Sequence, residues 1–354
     1  MQMQHTQAHT ARRHKSSAIR GLILVLVLDI LLAGCIVGGD YIVNYRIPHR
    51  LSALNTSTTD VQAVPSPASG GESSASGSSD WGQKFQDKFS DTVISSDTVY
   101  KSPNISVEIT QHSYDSGALD MSANGGHSKY GTKVFYTLAD IYVRDISCLR
   151  TTFAQDTYGV GYSETLSSMS ARMRSVLAVN GDSYSNNRHY SNGTIIRNGV
   201  VYRAQPTNDE TCVLFRDGTM RIYAPDELDP SRLVADGVWQ SWIFGPSLLD
   251  ADGKAKTDFL TWDYIRESHP RTAIGYYEPG HYCLLVVDGR QNGISRGMFL
   301  EEMSQLFANL GCKAAYNLDG GHCAFMTRGA NVISKPYRPG KDISDGIFIC
   351  EPEA

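Results

Sequence analysis

Three apolar runs in this chain each end in an aspartate set beside glycine. Val176–Val179 leads into Asn180-Gly181-Asp182, Leu284–Val287 into Asp288-Gly289-Arg290, and Ala314–Leu318 into Asp319-Gly320-Gly321. An aspartate just after a buried strand stands at a sheet edge, and a neighbouring glycine lets a ligand approach the backbone closely. If the three strand ends are neighbours, Asp182, Asp288 and Asp319 line one cleft. Arg290 follows the second aspartate, and Arg271 sits in His269-Pro270-Arg271-Thr272-Ala273 just before a β run. Each arginine presents a planar fork suited to phosphate oxygens, although a lone arginine is more often a surface charge. His322, beside the double glycine, reads either as a proton carrier or as a histidine bonded to its own loop. Asp-Gly is also a turn dipeptide and begins at residues 217, 236, 252, 288, 319 and 345. Asp217 and Asp252 read as plain turns. Asp288 and Asp319 differ, because neither of their strands runs straight into a matching hairpin partner.

The elements that must position these groups are mostly strands. Lys133–Val143, KVFYTLADIYV, is β-rich and apolar on both faces, as an interior strand is. Ile105–Thr110 and Cys283–Val287 read as further strands, and Gly346–Cys350 as a last one. Asn198-Gly199 within Thr194–Arg203, and Asp217-Gly218 between Thr211–Arg216 and Thr219–Tyr223, mark two hairpins. One helix is convincing: Phe299, Met303, Leu306, Phe307 and Leu310 share a face, and Gly311 follows as the C-terminal cap. Adjacent hairpins with one helix returning into a strand predict an α+β domain, a mixed β-sheet with few helices.

The four motifs Asn180-Gly181-Asp182, Arg271-Thr272-Ala273-Ile274-Gly275, Val287-Asp288-Gly289-Arg290-Gln291 and Asn317-Leu318-Asp319-Gly320-Gly321 occur in this order. Together they resemble the phosphodiester glycosidase family, over about Val134 to Glu351 and more loosely from Trp81. The resemblance implies cleavage of a sugar–phosphate diester at its glycosidic bond, releasing a sugar and a phosphate monoester. It implies a pocket with Asp319, Asp182 and Asp288 as the candidate catalytic carboxylates. Asn180, Arg271, Arg290, Asn317, Gly320, Gly321 and His322 are the candidate substrate-binding residues. Many members continue the double glycine with a third glycine and two serines, where this chain has His322, Cys323 and Ala324. That departure bears on the identity of the sugar more than on the class of reaction.

Composition sets the address. Gly21 to Val43 is an almost unbroken apolar stretch flanked on its N-terminal side by Arg12, Arg13, Lys15 and Arg20. About 20 apolar residues cross a bilayer as a helix, and the basic flank orients the bulk of the chain outside the cytoplasm. Residues 1–20 are thus expected as a cytoplasmic tail, 21–43 as the anchor, 44–80 as a stalk rich in Ser, Gly and Thr, and 81–354 as the extracytoplasmic domain, with its core at about 130–351. Leu32-Ala33-Gly34-Cys35 offers the alternative of a lipoprotein signal, and a cleaved secretory signal is a third reading. Formal charge is −5 overall and no basic stripe interleaved with aromatics occurs, so a nucleic-acid partner is not expected. Six cysteines lie outside the apolar stretch, at 148, 212, 283, 312, 323 and 350, and fit either up to three disulfides or buried thiols. No cofactor is expected. Two other classes stay open: a non-catalytic polysaccharide-binding wall module using Trp239, Trp242 or Trp262 as a platform, and a phosphodiesterase assisted by a divalent cation on Asp182, Asp288 or Asp319.

Overall fold

Alternation along single strands dictates the layers. In the computed structural model, the strand His281–Val287 turns Leu284 and Val286 into one apolar cluster and Cys283, Leu285 and Val287 into another. A strand buried on both faces needs a cover on each. The structure describes residues 23–42, 47–53, 81–117, 130–185, 191–225, 227–229, 232–233 and 235–352. The expected basic tail, most of the stalk and the Asn124-Gly125-Gly126 loop lie outside the described residues. The chain divides into two units, residues 1–49 and 50–354. In the first, Ile23–Ile42 forms a helix long and apolar enough to cross a membrane, a test that a signal sequence also passes.

After a helical turn at Trp81–Lys84, the strands of the second unit's larger sheet begin with β1 (Ile94–Ser95), β2 (Val99–Lys101), β3 (Ile105–Asp115) and β4 (Lys133–Val143). Then come β5 (Leu149–Phe153), α1 (Leu166–Met173), β6 (Leu177–Asn180), and the hairpin β7 (Thr194–Arg197) with β8 (Val200–Ala204). A small sheet follows from β9 (Thr211–Phe215), β10 (Met220–Tyr223) and β11 (Val238–Trp242). The chain continues through α2 (Asp263–Arg266), β12 (Arg271–Glu278), β13 (His281–Val287), α3 (Leu300–Asn309) and β14 (Ala314–Asn317). It closes with β15 (Met326–Arg328), β16 (Asn331–Val332) and β17 (Asp345–Ile349). A seven-stranded sheet has the order β14-β12-β13-β4-β3-β2-β1, and a five-stranded sheet the order β16-β15-β6-β17-β5.

The α+β class holds, and both large sheets are antiparallel throughout. The helix that returns into a strand joins β13 to β14, which run the same way, but β12 lies between them and keeps every pairing antiparallel. The two sheets face each other: Ile141, Leu284 and Val286 from one meet Leu177, Val179 and Ile347 from the other, with Trp242 at the same core. Helix α3 covers the outer face of the larger sheet through Leu300, Met303 and Phe307. Gly275 permits this contact, since a Cβ there would stand 2.7 Å from Phe307 and 2.6 Å from the Cys283 sulfur. Gly311, at φ +79°, ends the helix as expected. Helix α1 covers the smaller sheet with Leu166 and Met169 against Ala178 and Phe348. Its apolar residues fall at Leu166, Met169 and Met173, behind a Thr165 cap that accepts from the Ser168 amide, a short pattern the sequence reading passed over.

All six cysteines of this unit are buried and free, which corrects the disulfide expectation in favour of thiols. Cys283 and Cys312 come nearest, at 3.8 Å between sulfurs, well beyond the about 2.0 Å of a bond.

Candidate active site

The site forms where strand ends from both large sheets meet. Asp319 follows β14 of the larger sheet, and its amide donates to the Gly181 carbonyl just past β6 of the smaller one, at 3.1 Å. The Asn180 side chain crosses the same seam, donating to the Asp319 carbonyl at 2.6 Å. Asn180 Oδ1 accepts from the Thr272 hydroxyl at 2.6 Å and the Phe325 amide at 3.2 Å, so both acceptor positions of this buried amide are taken within the protein. Gly320 fits for lack of a side chain, since a Cβ would stand 2.6 Å from the Pro270 carbonyl oxygen. The Gly321 amide donates to that same oxygen at 2.8 Å, with Gly321 at φ +63°.

A cleft of about 190 Å³ opens here, lined by Phe244, Tyr264, His269, Arg271, Arg290 and the run Leu318 to His322, among others. Asp319 is the carboxylate in that lining among the described residues. It is half-buried, and burial pushes its pKa up to about 6. The Cys323 thiol, the Gly320 amide and the Ser183 hydroxyl donate to it and favour the ionised form.

Two cations share that lining with it. Arg271, at the first position of β12, is buried; its Nε donates to the Met298 carbonyl at 3.0 Å and Nη2 to the Ile265 and Glu267 carbonyls. Nη1 has no partner among the described residues. Burial lowers the Arg271 pKa to about 9, so it stays a cation at neutral pH. Arg290, in the left-handed region at φ +58°, donates from Nη1 to the Tyr337 hydroxyl at 2.8 Å. Its Nη2 meets the Tyr264 hydroxyl at 3.1 Å and His269 Nδ1 at 3.2 Å. His269 Nε2 lies 2.7 Å from the Tyr264 carbonyl, which can only accept, so Nε2 carries the proton and Nδ1 accepts from Arg290. Burial, then Arg271, lowers the His269 pKa to about 4 and keeps that tautomer neutral. Both guanidiniums are therefore oriented by neutral acceptors, which leaves their charge for an anion in the cleft. His322 is half-buried in the wall and its pKa is lowered by burial, then by Lys341, Arg290 and Arg338.

The other aspartates lie elsewhere. Asp182 is wholly buried, and its oxygens accept from the Ile243 and Phe244 amides at 2.7–2.9 Å. Arg197 stands 3.6 Å away and bonds Asp345 at 2.6 Å. Burial pushes the Asp182 carboxyl up against the pull of Arg197 and those amides. Asp288 is buried, with Oδ1 accepting from the Lys335 amide at 2.7 Å and Oδ2 unpartnered among the described residues. Burial raises its pKa to about 7. Asn317 donates to the Gly245 carbonyl at 2.7 Å and braces the loop behind the cleft. The structure thus brings together Asp319, Arg271, Arg290, Gly320, Gly321 and His322, and sets Asn180, Asp182, Asp288 and Asn317 behind them.

Sequence reasoning missed Tyr264, His269 and Tyr337, which orient Arg290, and Asp345, whose carboxylate holds the Asp182 and Ser183 amides at 2.9 and 3.1 Å. The His-Pro-Arg run was the available signal for His269; nothing local marks Tyr337. Of the tryptophans, Trp242 is wholly buried, Trp239 donates to the Leu149 carbonyl at 2.8 Å, and Trp262 is 63% exposed. Among the described residues no group of three or more His, Cys, Asp or Glu converges as metal ligands do.

Residues 173–350 match the family model for phosphodiester glycosidase, and that span contains every residue of the cleft named above. Over 195 residues the chain is 36% identical to the SPbeta prophage-derived uncharacterized protein YomE of Bacillus subtilis (strain 168). That stretch is 54% of this chain and 29% of the relative, so the chain spans less than a third of the relative's length. The fold is similar to the catalytic domain of zebrafish N-acetylglucosamine-1-phosphodiester alpha-N-acetylglucosaminidase, solved auto-inhibited by its pro-peptide, with a TM-score of 0.53. The match covers 71% of this chain and 90% of that one at 18% identity, a level that speaks to fold alone. With a family model matched across half of its length and over the whole cleft, the chain belongs to the phosphodiester glycosidases.

Proposed function

We propose that this chain hydrolyses a sugar 1-phosphodiester at the glycosidic bond. The observation that carries the proposal is one carboxylate, Asp319, and two arginines oriented by neutral acceptors, all lining one cleft. Ordinary glycosidases use a second carboxyl group to protonate the leaving oxygen. A departing phosphate monoester is already a good leaving group, its second pKa being about 6, so cations on its oxygens can take the place of that acid. Arg271 and Arg290 hold the phosphate. Asp319 takes a proton from the attacking water, whose oxygen bonds the anomeric carbon. The bond from that carbon to the phosphate oxygen breaks, and its electron pair leaves with the phosphate.

Asn180, Asp182, Asp288 and Asn317 serve this reaction as positioning residues. Asn180 fixes the Asp319 backbone across the seam, Asp182 and Asn317 brace the loop Ile243–Pro246, and Asp288 fastens the segment bearing Tyr337. The substrate class is a glycan or sugar phosphate outside the cytoplasm, with Ile23–Ile42 as the membrane anchor. A family match and one apolar helix support this placement.

Product analysis tests the chemistry. The full chain in detergent is given a methyl phosphodiester of N-acetylglucosamine 1-phosphate, the sugar being suggested by the zebrafish enzyme's name. Free sugar and methyl phosphate are expected. Sugar 1-phosphate with methanol would instead mean cleavage at phosphorus, and binding without turnover would mean a glycan-binding module.

A further inference from the structure

Tyr264 serves the arginines through its polar ends: its hydroxyl accepts from Arg290 Nη2 at 3.1 Å and its carbonyl accepts from His269 Nε2 at 2.7 Å. The ring between those ends lines the cleft and is left open. Tyr264 is 56% exposed, whereas Phe244, the other benzenoid ring of the lining, is 8% exposed. Open as it is, the ring is held. Helix α2, which bears it, is pinned at the next two residues as well. Arg271 Nη2 donates to the Ile265 carbonyl at 2.6 Å, and Arg266 Nη2 donates to the Glu301 carboxylate at 3.0 Å and the Thr257 carbonyl at 3.1 Å. The Tyr264 ring leans on the His269 imidazole, with centroids 4.7 Å apart and planes at 48°. Backbone, ring and hydroxyl are each fixed, so the freedom of this exposed side chain is lost before any ligand arrives.

Resting on the hydrolase reading above, we infer that the Tyr264 ring is the stacking platform for the sugar at the scissile bond. A phosphate on Arg290 lies at the hydroxyl edge of this ring, because Nη2 of the one meets the hydroxyl of the other. A sugar joined to that phosphate is thereby brought against the ring. A pyranose carries its hydroxyls round its rim and C–H bonds on its faces, so a fixed aromatic ring buries an apolar face while the hydroxyls keep polar partners. The cleft measures about 190 Å³, below the roughly 300–1,000 Å³ of pockets that enclose a drug-sized ligand, a size for one ring rather than a chain of them. The substrate class is therefore cyclic: pyranosyl phosphodiesters rather than diesters of acyclic polyols such as glycerol.

Two kinds of probe and three variants separate the ring from its hydroxyl. The cyclic probes are methyl phosphodiesters of N-acetylglucosamine, glucose, galactose and mannose 1-phosphate. The acyclic probe is the methyl phosphodiester of glycerol phosphate, which offers the same charge and no ring. Binding is measured by calorimetry on the full chain in detergent, carrying D319N so that turnover does not intrude. Y264F keeps the ring and drops the hydroxyl, so its affinities for both kinds of probe should move together. Y264L and Y264A drop the ring. Each should bind the best cyclic probe about tenfold more weakly than Y264F, about 1.4 kcal/mol, while the acyclic probe stays within about twofold. Thermal melts of the three variants should coincide. Equal affinity of Y264F and Y264L for the cyclic probe, an equal loss for both kinds of probe, or no cyclic probe bound at all overturns the inference. Turnover is assayed separately with Asp319 intact. Free sugar released without the gap between Y264F and Y264L would remove the platform and leave the hydrolase reading. The gap without free sugar would remove the hydrolase reading and leave the platform.

Discussion

At the scale of single residues, the site turns on which aspartate lines the cleft. Asp319 faces the cleft, and D319N should lower kcat about 10³-fold while circular dichroism stays unchanged; turnover within tenfold of wild type would remove it from the mechanism. Its pKa is raised to about 6, and the reaction needs the carboxylate, so kcat should fall as pH drops through about 6. A rate that rises instead as pH falls would make Asp319 the acid. Asp288 bears on stability instead. Its folded pKa is about 7 against an ordinary 3.8, so the folded state holds its proton the more firmly. Stability from this group is full below about pH 4 and is lost as pH rises toward 7. D288N should therefore gain on wild type in melting temperature between pH 4 and pH 8, by the equivalent of about 4 kcal/mol. A difference that stays flat across that range would mean that the group does not titrate there.

At the scale of elements, strands and turns were legible and side-chain destinations were not. Apolar residues on both faces marked Lys133–Val143, and Asn198-Gly199 and Asp217-Gly218 marked their hairpins, because those signals act within a few residues. The spacing of Met303 and Phe307 marked α3 for the same reason, and F307A should cost about 3–5 kcal/mol in denaturant unfolding. Asp182, Asp288 and Asp319 look alike locally, each ending an apolar run beside glycine. What separates them is remote: the amides of Ile243 and Phe244 claim Asp182, and the amide of Lys335 claims Asp288. No spacing rule reaches that far. Tyr337 belongs to the same class of hidden residue. Y337F frees Arg290 Nη1, and it should raise KM severalfold with little change in melting temperature, which steady-state kinetics beside a thermal melt would check.

At the scale of the whole molecule, two antiparallel sheets packed face to face and covered by α1 and α3 hold the domain without covalent cross-links. A titration of the denatured chain with a thiol reagent should count seven free cysteines, and a reductant should leave the melting temperature unmoved. Fewer thiols would place a disulfide where the sulfurs now stand apart, with Cys283 and Cys312 the first pair to examine. The family match reached the fold by another route, because its motifs sit at strand ends that only this stacking brings together.

The bond from Asn180 to the Asp319 carbonyl ties the carboxylate proposed to react, borne on one sheet, to a clasp borne on the other. Under the proposed mechanism, catalysis is consequently a gauge of how the two halves of the sandwich are aligned. Trimming a side chain deep between them, far from any substrate, would blunt the rate while the protein still melts as one body. Inherited or engineered changes in that interior should surface first as slow enzymes, and only later as unstable ones.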